Sequence, residues 1–387
     1  MAPPPSALDA ASDSPPVPLF DPKAQYRRLQ PEIDRRVAAV MAHGRYINGP
    51  EVSELEAALG EFAGGRHCVT CANGTDALVL ALLAEGIGAG DAVFVPAFTY
   101  VATAGAVRLA GATPVFCDVL EDSCNLDPAE LERQVARVVA GGDLTPRAVI
   151  PVDLYGLPAD YKAIGATAEA HGLVVIADAA QSFGGACGGQ PVGALAGITA
   201  TSFYPTKPLG CAGDGGALFT DDADRAERWR TMRTHGTDAS RTAVHLGMNN
   251  RLDSLQAAIL LAKLPALERE RAHRESLAQH YDELLADVLR TAPRAAGCDH
   301  AWALYTVATE RRDAVQQALA AEQIGAAVYY NAPVHLHPAY AAFGEGPGSL
   351  PVSERLAQRV LSLPLTADTS QPQVERVGAV VRQALRS

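Results

Sequence analysis

Residues 161–181, YKAIGATAEAHGLVVIADAAQ, contain one unit of a repeating helix and strand pattern. Tyr161–His171 has the length of a crossover helix, and Leu173–Ala177 is an apolar run of strand length. The pattern continues in both directions. The predicted strands are His67–Thr70, Ala92–Val95, Thr113–Phe116, Ala148–Val152, Leu173–Ala177, Thr199–Phe203 and Ala217–Thr220. Because neighbouring parallel strands need a crossover between them, this alternation predicts an α/β fold with a mostly parallel central sheet.

Outside residues 67–220 the pattern changes. The other predicted segments are helices at Asp21–Gly44, Pro50–Phe62, Arg251–Leu264, Ala266–Leu289, Arg312–Glu322 and Gln371–Leu385, and extended runs at Trp302–Ala308 and Ala326–Tyr330. The break in the long helix is expected at Pro265. We therefore expect a large domain over residues 19–250, and a linking helix with a smaller C-terminal α+β domain over residues 251–387. Residues 1–18, rich in Pro, Ala and Ser, are expected to be a disordered tail.

Composition excludes several classes of protein. The 387 residues are 48% hydrophobic and 20% charged, as in globular proteins, and their net charge of −12 argues against nucleic acid as a partner. No apolar run reaches the ~20 residues that cross a bilayer, and the N-terminus has no secretory signal pattern, so a cytoplasmic protein is expected. The seven scattered cysteines are expected to be reduced and mostly buried, with no metal site.

Two predicted strands end next to residues that suit an anion and a cation. Gly74 and Thr75 follow a strand and open a helix, where backbone N–H groups and the helix dipole favour a phosphate. Asp178 ends an apolar strand, where a carboxylate needs a cationic partner. Taken alone, both segments also suit an ordinary helix N-cap.

A third strand leads into a turn rich in Gly and Pro that contains Lys207. A lysine there is held near the ligand-binding edge of the sheet and is not on a solvated helix face. A lysine, a carboxylate and a phosphate-binding helix start at one edge meet the needs of pyridoxal phosphate. Tyr100, after a fourth strand, is predicted to lie over a planar cofactor ring, whereas Phe98 is predicted to pack in the core.

Four motifs in this order resemble those of the DegT/StrS-type nucleotide-sugar aminotransferases, which are fold type I pyridoxal phosphate enzymes. They are Gly74-Thr75-Asp76-Ala77-Leu78, Asp178-Ala-Ala-Gln181, Ser202-Phe-x-x-x-Lys207-x-Leu-Gly210 and Gly247-Met-Asn249-Asn-Arg251-Leu-Asp-Ser-Leu-Gln256-Ala-Ala. The resemblance extends from about Leu19 to the C-terminus. It implies transamination with glutamate as the amino donor.

The resemblance also assigns roles at the cofactor ring. The residue matching Lys207 bonds covalently to the cofactor and shuttles a proton, and the acid matching Asp178 pairs with the ring nitrogen. Gln181 is expected to contact the ring hydroxyl, and Tyr100 to stack on the ring. In a branch of the family that dehydrates its substrate, histidine replaces this lysine, so Lys207 argues for transamination.

The cofactor phosphate is expected to be held by Gly74, Thr75 and Ser202. The residues matching Asn249 and Arg251 reach the phosphate of the cofactor in the neighbouring subunit. The resemblance therefore implies a homodimer with shared active sites.

The substrate predicted from the resemblance is a nucleotide-linked keto-hexose. The turn around Lys207 looks most like that of enzymes that aminate carbon 3 of UDP-2-acetamido-2-deoxy-ribo-hexuluronate, in amino-sugar biosynthesis. Substrate contacts are expected from Tyr46, Asn48, Tyr329 and His335. Asp153 stands where many relatives have histidine, and it too is expected to approach the sugar.

Two alternative functions share the cofactor residues. One is a dTDP-keto-deoxysugar aminotransferase of antibiotic biosynthesis, which would differ only in its sugar pocket. The other is a non-catalytic regulator that binds pyridoxal phosphate, which would not turn over glutamate.

Overall fold

A seven-stranded sheet forms the centre of the larger domain in the computed structural model, which describes residues 15–386. Strands in the described residues are β1 (His67–Cys71), β2 (Asp91–Pro96), β3 (Thr113–Cys117), β4 (Thr145–Val149), β5 (Val174–Asp178), β6 (Ala186–Cys187), β7 (Gln190–Pro191), β8 (Ile198–Ser202), β9 (Gly216–Thr220), β10 (Cys298–Asp299), β11 (Tyr305–Ala308) and β12 (Val360–Leu363). The central sheet has the order β1-β9-β8-β5-β4-β2-β3. Only β9 runs antiparallel to its neighbours there, so the predicted mostly parallel sheet is confirmed.

The helices cover both the sheet and the smaller domain. They are α1 (Pro22–His43), α2 (Pro50–Phe62), α3 (Gly74–Ala84), α4 (Ala102–Leu109), α5 (Pro128–Gly141), α6 (Tyr161–His171), α7 (Ala223–Met232), α8 (Ser254–Lys263), α9 (Leu267–Leu285), α10 (Arg312–Ala321), α11 (Pro351–Arg359) and α12 (Gln371–Arg386). None of these helices is long and apolar enough to cross a membrane.

The register of three strands brings the start of α3 to the end of β8. Gly216 of β9 lies opposite Cys71 of β1 on one side and Ser202 of β8 on the other. The chain leaves β1 at Cys71 and enters α3 at Gly74, so the first turn of α3 reaches Ser202. The apolar face of α3, from Ala77 to Leu82, is buried in the core under the sheet and fixes the helix there.

Helix α9 passes from the hydrophobic core of the large domain into that of the small domain. Leu260 of α8 and Leu267 of α9 pack in the core of the large domain, whereas Leu277 and Leu285 pack in that of the small domain. The predicted interruption at Pro265 is confirmed as a single 3₁₀ turn between α8 and α9. The proposed boundary at residue 250 stays a prediction.

The N-terminal prediction needs correction where the structure describes it. Residues 1–14 lie outside the described residues. Val17, however, is only 2% exposed and packs in the core of the small domain. Its N–H donates to the carbonyl of Gln323 at 3.1 Å, and it forms a parallel bridge with Ile324. Disorder is therefore wrong for residues 15–18, because an apolar side chain and a main-chain bridge fix them.

One pair of cysteines also departs from expectation. Cys187 of β6 and Cys298 of β10 form a disulfide, so the prediction of seven reduced cysteines is wrong for this pair. The antiparallel pairing of these short strands places the two residues directly opposite each other, although 111 positions separate them in sequence. The five other cysteines are free and buried, as predicted. Residues 15–386 contain no cluster of three or more side chains that could bind a metal ion.

Several elements were predicted incompletely or not at all, among them helices α7 and α11 and strand β12, for which no prediction was made. The segment Ala326–Tyr330 does not form a strand and makes one bridge, between Ala327 and Ser362. Helix α4 was not predicted, because its buried face consists largely of small residues that give a weak helical pattern.

Candidate active site

A cavity of about 680 Å³ opens at the carboxyl ends of β2, β5 and β8. Ligands of open α/β sheets bind at this edge. Aromatic side chains from the small domain close its opposite side. The residues predicted from the sequence that line the cavity are Gly74, Thr75, Tyr100, Asp178, Gln181, Ser202, Lys207 and Tyr329. The structure therefore brings together residues from three of the four family motifs, with Tyr100 and Tyr329 from other segments.

Asp178 is the last residue of β5 and is 8% exposed. Its Oδ2 accepts a hydrogen bond from the Thr103 hydroxyl at 2.9 Å, and its Oδ1 accepts one from the Ala180 N–H at 3.2 Å. Burial raises the pKa of this carboxyl, while the two donors and the charge of Lys207 oppose that rise. The two bonds fix the carboxylate at the floor of the cavity.

Lys207 lies in the turn that follows β8. The turn is closed by main-chain hydrogen bonds, including one from the Lys207 N–H to the Tyr204 carbonyl at 2.9 Å. Burial lowers the pKa of the Lys207 amine, and the charge of Asp178 opposes the shift. A lysine whose charged form is destabilised is more readily neutral, which a nucleophilic amine requires.

The first turn of α3 forms a cradle for an anion. The Asn73 side chain caps the helix by accepting the Asp76 N–H at 2.8 Å. The N–H groups of Gly74 and Thr75 make no hydrogen bond among the described residues and remain available to a ligand. A Cβ on Gly74 would lie 2.7 Å from the Cβ of Ser202, so only glycine permits this close approach.

Asn250 supports this cradle and was missed by the sequence prediction. It is fully buried, and its Oδ1 accepts the Ala72 N–H at 2.8 Å. Its Nδ2 donates to the Asp76 carbonyl at 3.3 Å. The available signal was its position in the motif beside Asn249. Thr103, the hydroxyl donor to Asp178, was likewise not predicted, although it lies only three residues after Tyr100.

Gln181 is oriented by the main chain of Tyr155. Its Oε1 accepts the Tyr155 N–H at 2.6 Å, so its Nε2 faces the cavity and donates to the Tyr330 hydroxyl at 3.3 Å. A donor at this position suits the oxygen on a cofactor ring. The Tyr100 ring stands over the same space, with its centroid 6.0 Å from that of Tyr330.

Three predicted substrate contacts do not line the cavity in this chain. His335 is fully buried, with its Nε2 3.3 Å from Glu354 Oε1, so the geometry gives no support to a substrate role. Tyr46 and Asn48 lie at the surface beside the start of α8, where the Tyr46 carbonyl accepts the Ser254 N–H at 2.8 Å.

Asn249 and Arg251 also lie outside the cavity lining. The Asn249 side chain is exposed and makes no hydrogen bond among the described residues. The Nε of Arg251 is buried without a partner among them. Their predicted reach to the phosphate of a neighbouring subunit's cofactor therefore stays a prediction.

Asp153 does not line the cavity, so the geometry gives no support to its predicted approach to a sugar. It is completely buried, and it accepts hydrogen bonds from the Ala159 N–H at 2.8 Å, the Tyr161 hydroxyl at 2.8 Å and the Ser182 hydroxyl at 2.6 Å. Burial raises its pKa to about 7. Asp153 is therefore a structural residue beneath the site, next to the strand that carries Asp178.

The site fits pyridoxal phosphate on four independent features. The α3 cradle suits a phosphate, and the buried carboxylate of Asp178 suits a protonated ring nitrogen. Lys207 can bond to an aldehyde carbon, and Tyr100 can cover a planar ring. When bound, this cofactor supplies an electron-accepting ring and a carbon that carries the amino group. Fold and site together define a pyridoxal phosphate enzyme of fold type I.

Comparisons with known proteins identify the family. The sequence matches the DegT/DnrJ/EryC1/StrS aminotransferase family over residues 27–382. The chain is 44% identical over 350 residues to the UDP-2-acetamido-2-deoxy-3-oxo-D-glucuronate aminotransferase of Pseudomonas aeruginosa, covering 90% of this chain and 94% of that protein. The chain belongs to this aminotransferase family, and the resemblance stated from its motifs is confirmed.

Two further relatives agree with this assignment. The chain is 41% identical over 380 residues to dTDP-3-amino-3,4,6-trideoxy-alpha-D-glucose transaminase of Streptomyces venezuelae, with 97% of this chain and 98% of that protein covered. A crystal structure of a DegT DnrJ EryC1 StrS aminotransferase from Brucella abortus has a TM-score of 0.93 and 46% sequence identity, covering 95% of this chain and 99% of that one. The predicted fold class and aminotransferase activity are confirmed.

Proposed function

We propose that the protein transfers an amino group from glutamate to carbon 3 of a UDP-linked 3-keto-N-acetylglucosaminuronic acid. The observation that carries the aminotransferase activity is the meeting of Lys207, Asp178 and the α3 cradle in one cavity. The choice of sugar is supported by the similarity to the Pseudomonas aeruginosa relative, whose name states this substrate.

Each residue of the site has a distinct task in transamination. The Asp178 carboxylate would pair with the ring nitrogen of the bound cofactor and hold a proton there. The Lys207 amine would bond to the cofactor and, when not bonded to it, would accept and return the proton of the donor carbon. Gln181 would donate a hydrogen bond to the ring oxygen, and the N–H groups of Gly74 and Thr75 would hold the phosphate.

We also propose a homodimer with shared active sites. Ile47 pairs with Asp253, so the exposed side chains of Tyr46 and Ile47 lie close in the structure to the segment that carries Asn249 and Arg251. Exposed apolar residues beside polar groups without partners are typical of a surface that another protein covers. A second copy of this chain would place Asn249 near the cofactor phosphate of its neighbour.

A dTDP-linked keto-deoxysugar is the second candidate substrate. It is supported by the similarity to the Streptomyces venezuelae transaminase, which spans nearly the whole of both chains. The residues that hold the cofactor would be the same in both cases. The cytoplasmic location stays a prediction.

The test combines spectroscopy with a substrate panel. Purified protein reconstituted with pyridoxal phosphate should show an absorption band in the visible range. Addition of glutamate should shift this band, and 2-oxoglutarate should form. The kcat/KM values are then compared for UDP-linked 3-keto sugars with and without a carboxylate at carbon 6, and for dTDP-linked 3-keto-6-deoxysugars. The highest value is expected for the UDP-linked uronate. Cofactor binding without turnover of glutamate would contradict the proposal and favour a regulator.

A further inference from the structure

Arg274 of α9 is a buried cation without an acidic partner. It is 5% exposed, and its Nε donates to the Ala301 carbonyl at 3.2 Å. Its Nη2 is buried and has no hydrogen-bond acceptor among the described residues. Nor does any Asp or Glu of the described chain lie within ion-pair distance of it. A buried guanidinium is costly to leave in this state, so its missing acceptor calls for an explanation.

The guanidinium borders a second cavity, which adjoins the active site. This cavity of about 70 Å³ is lined by Arg274, Trp302 and the turn at residues 205–208. Phe20, Thr206, Lys207 and Ala303 line both cavities. Because one water needs about 10–15 Å³ measured in this way, the second cavity has room for a few waters or for a carboxylate group.

The acids around this second cavity already have cationic partners. Glu270 Oε1 is 2.8 Å from Arg28 Nη2, and Asp368 Oδ1 is 3.1 Å from Arg28 Nε. Asp21 caps α1 by accepting main-chain N–H groups. These carboxylates are therefore ion-paired or hydrogen-bonded, whereas Arg274 has no carboxylate within ion-pair distance and interacts with the charge of Glu270 only at longer range.

A second unpartnered donor lies in the same region. The Nδ1 of His300 accepts the Trp302 N–H at 2.8 Å, so the proton of the neutral ring is on Nε2. This Nε2 is buried without an acceptor. Burial and the charges of Arg294 and Arg274 lower the pKa of His300, which keeps the ring neutral. Arg274 Nη2 and His300 Nε2 are therefore two buried donors without acceptors; the buried Glu270 Oε1 also makes no hydrogen bond, although it lies within ion-pair distance of Arg28.

We propose that Arg274 binds a carboxylate group of a substrate beside Lys207. The inference rests on the proposed function, which offers two sources of this group: the amino donor, and the uronate at carbon 6 of the sugar. Arginine recognises a carboxylate through two parallel N–H bonds, for which Nη2 is free here.

Binding experiments without turnover test this proposal. Calorimetry on the cofactor-loaded protein compares glutarate with glutaramide, and UDP-N-acetylglucosaminuronate with UDP-N-acetylglucosamine. Within each pair the ligands differ mainly in whether they carry a carboxylate. Arg274→Met should weaken binding of one carboxylate ligand by about 10- to 100-fold and leave its uncharged counterpart unchanged. Weaker glutarate binding identifies the amino donor as the source, and weaker uronate binding identifies the sugar.

Arg271→Met is the matched control. Arg271 lies one turn earlier on α9 and pairs with Glu268 at 2.6 Å, so its loss should not change either affinity. If both carboxylates bind the Arg274→Met protein as they bind the wild type, the proposal is overturned. Arg274→Lys serves if the methionine variant fails to fold. It lacks the planar pair of donors, and a substrate carboxylate should bind it at least about threefold more weakly.

The binding readout also separates this proposal from the proposed function. A protein that binds glutarate through Arg274 yet aminates no keto-sugar would contradict the function and support the carboxylate site. If the protein aminates the sugar but Arg274→Met changes neither affinity, the proposed function is supported and the carboxylate site is contradicted.

Discussion

At the scale of single residues, burial acts on Lys207 and Asp178 in opposite directions. It lowers the pKa of the amine and raises the pKa of the carboxyl, and the charge of each group partly restores the other. Thr103 and the Ala180 N–H add hydrogen bonds that favour the ionised carboxylate. Asp178 can therefore stay ionised in the cavity while Lys207 loses its proton more readily than an exposed lysine.

The first prediction concerns Lys207. Lys207→Ala should abolish the visible absorbance of the bound cofactor in its covalent form, because no other lysine lines the cavity in the described chain. Turnover with glutamate should be lost with it. Absorption spectra of the variant and the wild type, reconstituted side by side, provide the measurement. An unchanged spectrum would remove Lys207 from the site.

The second prediction concerns Asp178. Asp178→Asn should retain the cofactor, since the phosphate cradle is intact, but lose about 10²–10⁴-fold in kcat because the ring nitrogen loses its proton-holding partner. Single-turnover rates with glutamate measure this loss, and cofactor content is the control. Wild-type rates in the variant would rule out the assigned role.

The third prediction concerns Asp153, whose pKa in the folded protein is raised to about 7. The unfolded chain releases this proton near pH 4, so the folded state binds more protons between about pH 4 and 7. Stability should therefore fall as pH rises through this window. Asp153→Asn carries no titrating proton. Relative to wild type, it should gain on the order of 2–3 kcal/mol in unfolding free energy between pH 5 and 8.

Urea unfolding at several pH values measures this difference. The control is Asp122→Asn, which changes a fully exposed carboxylate and should follow the wild-type profile. Parallel pH profiles for Asp153→Asn and the wild type would show that Asp153 is ionised throughout.

At the scale of secondary-structure elements, the start of α3 is held by contacts from distant parts of the chain. Ser202 of β8 packs against Gly74, and the Asn250 side chain bonds to the main chain on both sides of Asn73. The buried apolar face of the helix leaves it no freedom to move away from the sheet.

The fourth prediction follows from this close packing. Gly74→Ala places a methyl group 2.7 Å from the Cβ of Ser202, so the cradle must shift. An overpacking cost of about 1–3 kcal/mol should weaken retention of pyridoxal phosphate by roughly 5- to 150-fold. Equilibrium dialysis against the cofactor measures this effect. Gly86→Ala, with nothing within 4 Å of its added Cβ but a positive φ, is the control for strain at a glycine away from the site. If Gly74→Ala, Gly86→Ala and the wild type bind the cofactor with equal affinity, the first turn of α3 does not hold the cofactor phosphate.

The elements that were predictable have strong local signals. Apolar runs of strand length identified all seven strands of the central sheet, and Pro50 and Phe62 bounded α2 correctly. The weak pattern of α4 and the single bridge at Ala327 carry no such signal. The contacts of Asn250 and Thr103, and the pairing of Cys187 with Cys298, depend on residues more than 70 positions apart. Local spacing cannot reveal contacts that only the assembled sheet creates.

At the scale of the whole molecule, one chain leaves some of its polar and apolar groups without partners. Leu246 is 95% exposed, and Asn249 a few residues further on makes no side-chain hydrogen bond. The Nε of Arg251 is buried without an acceptor among residues 15–386. A second copy of the chain that covers this segment would account for all three observations.

The fifth prediction tests whether two chains share each site. Asn249→Ala should weaken cofactor retention by roughly 10- to 100-fold, as expected for a lost hydrogen bond to a charged group of about 1.5–3 kcal/mol. The decisive experiment mixes Lys207→Ala protein with Asn249→Ala protein, allows subunits to exchange, and measures activity at limiting cofactor. In a mixed dimer with shared sites, one site carries both changes and the other carries neither, so activity should rise toward that of one intact site. If each chain supplies its own asparagine, every site keeps one change, and mixing should restore no activity.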